Sequence, residues 1–321
     1  MAGSYPYAVG RIRVQETHLI DRARWNRLYE ADEAEGMKLL IEAGYGTDSA
    51  EDGSLDAMID AELLKTRQFI NEITPDKALT DLLLLPVDVH NIKTLLKGMI
   101  QRVEVDDLLL EGGATDLEVL KQAMTHGDYT LLPLCFRETL KKLEDTEDPR
   151  VISAEIDRAA YQGIQEILKK HRDPLLELYF QAKIDFTNIL TILRANVLKW
   201  ETYRIRPFLL EGGELDEKQL LDALGVPMEQ LARLLAHGRH SVTIRSILEK
   251  YAQDGNLTEV EQQLDNVAFA IIHDARGDSF GIGPVANYYL TRQAEGRALR
   301  VLFAGKRSGV KIPLNELGIV V

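Results

Sequence analysis

The chain has 321 residues, of which 45% are hydrophobic and 28% are charged, so it has ample apolar material for a buried core. Its 38 basic and 51 acidic residues give a net charge of −13, which disfavours nucleic acid as a partner because an acidic chain repels phosphate groups. The single cysteine, Cys135, cannot form an internal disulfide, which favours a reducing, intracellular compartment. No apolar run reaches the roughly 18 to 20 residues that cross a bilayer, so we expect no transmembrane segment.

The first copy of a long internal repeat contains a helix that we expect to begin at Thr74-Pro75. This helix carries the segment DVHNIKTLLKG at residues 88–98. Proline suits the first turn of a helix, where its missing N–H removes no hydrogen bond. A second proline, Pro86, predicts a kink or a split just before Val87. Gly112-Gly113 then predict a loop.

The second copy repeats this pattern further along the chain. Asp173-Pro174 predict a helix start in which the aspartate caps free backbone amides. The segment DFTNILTILRA at residues 185–195 echoes the first. The second and third copies also share an opening segment, since LLLEGG at residues 108–113 recurs as LLEGG at residues 209–213. Apolar residues recur at spacings of three and four, which is typical of one helix face. They are Leu175, Leu178, Ala182, Phe186, Ile189, Leu193 and Val197.

The third copy is altered. A helix that we expect to begin at Gly283-Pro284 contains EGRALRVLFAGK at residues 295–306. When Ala298 is aligned with Asn91 and Asn188, Glu295 takes the place of Asp88 and Asp185. We call Asn91, Asn188 and Ala298 the reference positions. The absence of asparagine from the third copy favours a structural role for the motif.

The repeat extends upstream of each reference position. Asp60 and Asp157 lie equally far before the reference positions of their copies, and Asp265 lies only slightly further before Ala298. Strand patterns are absent apart from a plausible extended tail at Leu317–Val321. We therefore predict an all-α protein with three similar helical domains in series, spanning residues 1–106, 107–206 and 207–321.

The sequence gives little support for catalysis. The single cysteine excludes a thiolate zinc cluster, and His237 and His240 have no acidic or histidine partner at metal spacing, so a polar turn is the better interpretation. Neither a phosphate loop nor a dinucleotide loop is complete. We predict no catalytic residues, no cofactor and no metal.

Two sets of carboxylates still offer alternatives. Asp88, Asp185 and Glu295 could meet at a threefold cation site, although a solvated face or a helix-to-helix hydrogen bond is the better interpretation. Asp60, Asp157 and Asp265 could be catalytic, although their recurrence in every copy favours maintenance of the fold.

A basic cluster near the C-terminus predicts a surface for an acidic partner. Between Arg292 and Lys311 there are six basic residues and one acid, Glu295. The alternative is a solvated helix with favourable dipole charges. The residues predicted to bind a partner are Arg292, Arg297, Arg300, Lys306 and Arg307.

The sequence resembles the C subunit of the V/A-type ATPase or ATP synthase, a family related to the d subunit of vacuolar ATPases. The resemblance is carried by YAVGRIRVQE (7–16), FQAKIDFTNILTILRA (180–195) and GPVANYYLTRQAEGRALRVLFAGKRSGV (283–310). The last stretch matches the family pattern most specifically, through Pro284, Tyr288, Arg292, Glu295, Leu299, Arg300, Leu302, Gly305 and Lys306. The chain departs from it at Ala298, where asparagine is usual, and at Arg292, where lysine is commoner.

The resemblance implies an all-helical, funnel-like protein with three domains around a pseudo-threefold axis. It implies a non-catalytic central-stalk subunit that forms a socket for the shaft subunits D and F. That socket would sit on the cytoplasmic face of the membrane rotor ring and be peripherally attached through the complex. Two alternatives stay open: an acid–base enzyme that uses Asp60, Asp157 and Asp265, and a soluble helical-repeat scaffold that binds a partner helix.

Overall fold

The computed structural model describes residues 3–46 and 53–318, and within these ranges the chain is helical with no strand. The predicted all-α class is therefore confirmed. The first helices are α1 (Tyr5–Glu16), α2 (Arg22–Glu30), α3 (Glu33–Glu42), α4 (Leu55–Ile73), α5 (Lys77–Gln101), α6 (Leu117–His126), α7 (Leu134–Leu143) and α8 (Pro149–His171). The remaining ones are α9 (Pro174–Val197), α10 (Thr202–Ile205), α11 (Glu217–Asp222), α12 (Met228–Leu235), α13 (Ser241–Asp254), α14 (Leu257–Asp274) and α15 (Gly283–Ser308).

The chain forms two compact units. The first, here called the terminal unit, combines Met1–Thr80 with His273–Val321, and the second, the middle unit, is Asp81–Ile272. In the terminal unit, α15 packs on α1, α3 and α4. The core there includes Trp25, Leu40, Ile59 and Phe303, all almost completely buried.

The middle unit has its own core around α9. Ile189, Ile192 and Leu193 are fully buried against residues of α11 to α14, including Leu235 and Leu248. The helix α8 packs on both α7 and α9. The predicted division into three domains at residues 106 and 206 stays a prediction.

The predicted helix starts are mostly confirmed. Asp173 caps α9 by accepting a hydrogen bond from the Leu176 N–H, and α15 begins at Gly283 with a proline in its first turn. The first-copy helix begins at Lys77, two residues after Pro75, because Asp76 is the residue that accepts from the Leu79 N–H. A split at Pro86 is wrong, since α5 is continuous from Lys77 to Gln101, and the alternative of a kink there stays a prediction.

The C-terminus adds a short 3₁₀-helix at Leu314–Glu316. Similar 3₁₀ turns lie at Asp106–Leu108 and Arg206–Phe208, so one follows the long helix of each copy. The extended tail predicted at Leu317–Val321 lies largely outside the described residues, and Leu317 and Gly318 form a turn.

The three long helices, α5, α9 and α15, end in the same way. A residue with positive φ stands 11 positions after each reference position: Arg102 (φ 54°), Lys199 (φ 52°) and Gly309 (φ 71°). The next residue donates its N–H to the carbonyl five residues back, at N–O distances of 3.1, 2.9 and 2.9 Å for Val103, Trp200 and Val310 respectively. This pattern is a Schellman motif, and its identical offset supports the alignment of three copies.

Candidate functional site

The reference asparagines each hold the loop that follows their helix. The Asn91 amide donates to the Leu110 carbonyl at 2.8 Å and accepts from the Leu110 N–H at 2.9 Å. Asn188 makes the same two bonds to Leu210, both at 2.8 Å. Each asparagine is buried, so the paired bonds satisfy backbone groups that would otherwise be costly to bury.

The repeated aspartates hold the same loops a few residues further on. Asp88 accepts from the Thr115 N–H at 3.0 Å and from the Thr115 hydroxyl at 2.7 Å. Asp185 accepts from the N–H groups of Glu214 at 2.8 Å and Leu215 at 3.0 Å. Burial raises the pKa of Asp88 to about 6, although its bonds to Thr115 oppose this, and burial also raises the pKa of Asp185.

The glycine pairs are explained by the same contact. Gly112 and Gly212 have φ values of 77° and 101°, which glycine adopts without strain. A Cβ on Gly113 would lie 2.0 Å from Asp88 Oδ1, and a Cβ on Gly213 would lie 2.0 Å from Asp185 Oδ1. The shared motif of LLLEGG and LLEGG is therefore explained by a loop that must approach a buried carboxylate closely.

In the third copy, Glu295 holds a different partner. Its Oε1 accepts from the Ile20 N–H at 2.5 Å and its Oε2 accepts from the Tyr45 hydroxyl at 3.1 Å. Ile20 precedes α2, so the last long helix binds a loop of the first copy. Ala298 is fully buried in the core at the position of the missing asparagine.

A buried ion-pair network surrounds Glu295. The Arg292 guanidinium lies 2.7 Å from Glu295 Oε2 and 3.3 Å from Glu62 Oε1, and its side chain is 2% exposed. Burial alone would lower the pKa of Arg292, but the facing Glu295 carboxylate together with Tyr288 and Tyr45 raises that pKa above its usual value. Burial, followed by the Glu295 charge, raises the pKa of Tyr45 well above its usual value.

The upstream aspartates each pair with a base on the long helix of another copy. Asp157 lies 2.5 Å from Lys93 Nζ, and Asp265 lies 2.7 Å from Lys183 Nζ. In the terminal unit, Asp60 lies 2.6 Å from Arg300, which also contacts Asp56 at 2.9 Å. Each aspartate thus joins its own copy to the preceding one, and the first copy is joined to the last.

These pairs argue against the enzyme alternative. Asp60, Asp157 and Asp265 are each neutralised by a base from another copy, so all three serve as contacts between copies. No group of His, Cys, Asp or Glu in the described ranges is arranged to hold a metal ion. Asp88, Asp185 and Glu295 each bind a separate loop and do not form the threefold cation site.

The other candidates for chemistry have structural explanations. His237 and His240 line a cavity of about 10 Å³, which is room for about one water molecule. Burial raises the pKa of the Cys135 thiol to about 11, so it is held in the protonated, unreactive form. Its Cβ and Sγ lie close to Gly163, where α7 and α8 pack together.

The residues of the predicted basic surface are placed very differently from one another. Arg292 is buried, Arg300 is paired with Asp56 and Asp60, and Lys306 donates to the carbonyls of Tyr29 and Ala31. Arg297 is exposed, and Arg307 is half-exposed at 3.9 Å from Glu33. Only Arg297 and Arg307 of this set are therefore accessible enough to meet a partner, and partner binding stays a prediction.

Some of these residues were beyond sequence reasoning. Lys93, Lys183 and Arg300 do not share one offset from the reference positions, because Lys183 stands five residues before Asn188 whereas the others stand two residues after theirs. Tyr45 and Glu62 belong to no motif identified in the sequence. The positive φ of Arg102 and Lys199 was hidden because basic residues stand where glycine is usual.

Taken together, the repeated polar residues define a helical structural protein whose copies are held together by charge pairs and loop clamps. A family model described as ATP synthase (C/AC39) subunit matches residues 8–312, so the chain belongs to this family. The predicted resemblance is confirmed. The family is the C subunit of V/A-type ATPases, a non-catalytic stalk subunit, and the chain is accordingly a rotary ATPase subunit and not an enzyme.

Several relatives align over most of their length. The C subunit of the V-type sodium ATPase of Enterococcus hirae is 22% identical, with 92% of each chain covered. The C subunit of the A-type ATP synthase of Halorubrum lacusprofundi is 25% identical, and the alignment covers 98% of this chain and 97% of that relative. Its counterpart from Methanosarcina mazei is 25% identical, with 100% and 94% covered. Among the described residues, no helix is long and apolar enough to span a membrane.

Proposed function

We propose that this chain is the central-stalk socket of a V/A-type ATPase. It couples the shaft subunits D and F of the soluble ATPase head to the membrane rotor ring, for ATP-driven ion transport or ATP synthesis. It binds the ring from the cytoplasmic side and is attached to the membrane through the complex. Family membership supports this role, and the contacts among the copies add a physical reason for it.

The observation that carries the proposal is the cyclic order of the acid–base pairs. Asp157 of the second copy pairs with Lys93 of the first, and Asp265 of the third pairs with Lys183 of the second. Asp60 of the first copy pairs with Arg300 of the third, which completes the cycle of three acid–base pairs. This order is what three similar domains around a pseudo-threefold axis require, and we propose that arrangement with domains 1–106, 107–206 and 207–321.

A socket that transmits torque must resist opening, and two features support this property. Each long helix is fixed to a loop through a buried carboxylate, namely Asp88, Asp185 or Glu295. The contact between first and last copies is reinforced by the buried Arg292 network, so it does not depend on a single exposed pair. These contacts fix each long helix to a loop of another copy and so resist separation of the copies.

For the partner surface, we propose the accessible part of the predicted basic set. Arg297 is exposed and Arg307 is half-exposed on α15. In a chain of net charge −13, two accessible bases on one helix offer a local contact for an acidic partner segment. Arg292, Arg300 and Lys306 act in the fold instead, by positioning α15.

The test is a binding assay between the purified chain and its D–F subcomplex. Arg297→Glu and Arg307→Glu together should weaken binding at least tenfold and steepen its loss with salt, whereas Lys218→Glu, an exposed charge reversal on α11, should not. Tight D–F binding that the double variant leaves unchanged would exclude Arg297 and Arg307 as the D–F contact, and the socket proposal itself would still stand. Absence of D–F binding by the unmodified chain would favour the helical-repeat scaffold.

A further inference from the structure

A cavity of about 330 Å³ lies in the middle unit, between the long helix of the first copy and α8 of the second. It is large enough for a small organic molecule. Its polar lining comes from α5, α8 and α9, and its apolar lining from α8 and the segment that follows α10. The residues that matter are Lys97, Arg150, Ser153, Asp157, Phe208 and Leu210.

The corresponding place between the second and third copies holds an ion pair. Arg194, six residues after the reference asparagine of α9, lies 2.7 Å from Glu261, four residues before Asp265. The equivalent positions at the cavity are Lys97, six residues after Asn91, and Ser153, four residues before Asp157. The base is therefore kept in the first junction while its carboxylate is replaced by a hydroxyl.

This substitution leaves Lys97 uncompensated. The other charges at the cavity are already paired, since Asp157 lies 2.5 Å from Lys93 and Arg150 lies 3.0 Å from Asp148. Lys97 is half-buried and has no carboxylate within ion-pair distance among the described residues. A partly desolvated ammonium without a counter-charge is unfavourable, so an anion that enters the cavity gains a charge-assisted contact.

The remaining walls define the rest of the ligand. Phe208 and Leu210 present an aromatic ring and an aliphatic side chain, and Ala154 and Pro149 add further apolar surface. The Ser153 and Thr187 side chains are small and polar. Such a site suits one charged group on an apolar body, because it offers a single unpaired cation beside a mostly apolar wall.

We propose that this cavity binds a small organic oxyanion. Its carboxylate or phosphate group takes the place of the missing glutamate carboxylate beside Lys97, and its aromatic or aliphatic body packs on Phe208. Bound there, it bridges the first and second copies as Glu261 and Arg194 bridge the second and third. The site shares Leu210 with the Asn188 clamp and Asp157 with the Lys93 pair. Its charged group, Lys97, takes part in neither contact and is separate from Arg297 and Arg307, so binding at Lys97 is tested independently of the proposed socket function.

The experiment is calorimetric titration of the purified full-length chain with phenyl phosphate, benzoate and inorganic phosphate. Phenyl phosphate or benzoate should bind saturably with one site, and Lys97→Gln should weaken that binding at least tenfold. Inorganic phosphate should bind at least tenfold more weakly than phenyl phosphate, because it lacks the apolar body. Equal binding of the two phosphates would overturn the apolar part of the assignment.

Ser153→Glu provides a variant that blocks the site without removing a fold contact. The new carboxylate reproduces the Glu261 position, so it should abolish binding while leaving the melting temperature unchanged or higher. Arg194→Gln alters the equivalent base at the junction of the second and third copies and should leave binding unaffected. Absence of saturable binding by the unmodified chain, or binding that survives both Lys97→Gln and Ser153→Glu, would overturn the proposal.

Discussion

Arg300 and Asp60 stand near opposite ends of the chain, yet Arg300 Nη2 and Asp60 Oδ1 lie 2.6 Å apart. The same guanidinium reaches Asp56 Oδ1 at 2.9 Å through its Nε atom. One arginine therefore fastens α15, near the end of the chain, to α4, near its beginning. This contact is the third of the acid–base pairs that connect the copies to one another.

Arg300→Gln should destabilise the terminal unit by about 1 kcal/mol, because it removes two partly exposed ion pairs that solvent screens. Urea unfolding measures the change. Arg194→Gln, which removes the single exposed pair with Glu261, is the matched control and should cost less than about 0.5 kcal/mol. Equal losses in the two variants would show that the Arg300 contact has no special role.

Asn188→Ala should cost about 2–4 kcal/mol, because it leaves the N–H and carbonyl of Leu210 buried without their partners. Thermal and urea unfolding both measure this loss of stability. Asn266→Ala, at an exposed site on α14, is the control and should be close to neutral. A loss below about 1 kcal/mol for Asn188→Ala would mean that the asparagine clamp is not a main support of the loop.

The helix ends predict substitutions of opposite sign. Lys199→Gly should stabilise the protein by about 0.5–1 kcal/mol, since glycine adopts a φ of 52° without strain. Gly309→Ala should destabilise it by about 1 kcal/mol through φ alone, because a Cβ there meets nothing within 4 Å. Melting temperatures measured in one buffer compare the two. A destabilising Lys199→Gly would indicate that the lysine side chain makes a compensating interaction.

Stability should depend on pH through Asp88. Its pKa is raised from 3.8 to about 6 by burial, so folding favours the protonated carboxyl group. This contribution is fully present below pH 3.8 and is lost as the pH rises through about 6; it has a magnitude on the order of 3 kcal/mol.

Asp88→Asn should remove this component and flatten the stability profile between pH 3.8 and about 6. Asp274→Asn, at an exposed site, should leave the profile of the unmodified protein in place. Urea unfolding at several pH values measures both. A profile that Asp88→Asn leaves unchanged would show that Asp88 keeps an ordinary pKa in the folded chain.

The helical class and the existence of copies were predictable because they rest on local signals. The Asp173-Pro174 cap, the apolar spacing of α9 and the aligned motifs each depend on residues close together in the chain. The split predicted at Pro86 was wrong, because a long helix can keep a proline when packing supplies most of its stability.

The partners of the repeated residues could not be predicted in the same way. Asp60 meets Arg300, and Glu295 meets Ile20, between opposite ends of the chain, so no spacing rule connects them. The buried state of Arg292 was equally hidden, since the run of six bases that ends at Lys311 looks like a charged surface. Sequence alone located the motif, and the three-dimensional contacts gave its function in the fold.

The most direct test of the central proposal is affinity purification of the tagged chain from detergent-solubilised membranes of its own host. We expect subunits D and F and the proteolipids of the ring to be recovered with the chain in constant ratio, in a complex that survives in nonionic detergent. Recovery of an intact ATPase complex that lacks this chain, or of the chain without D, F and the ring, would contradict the proposal.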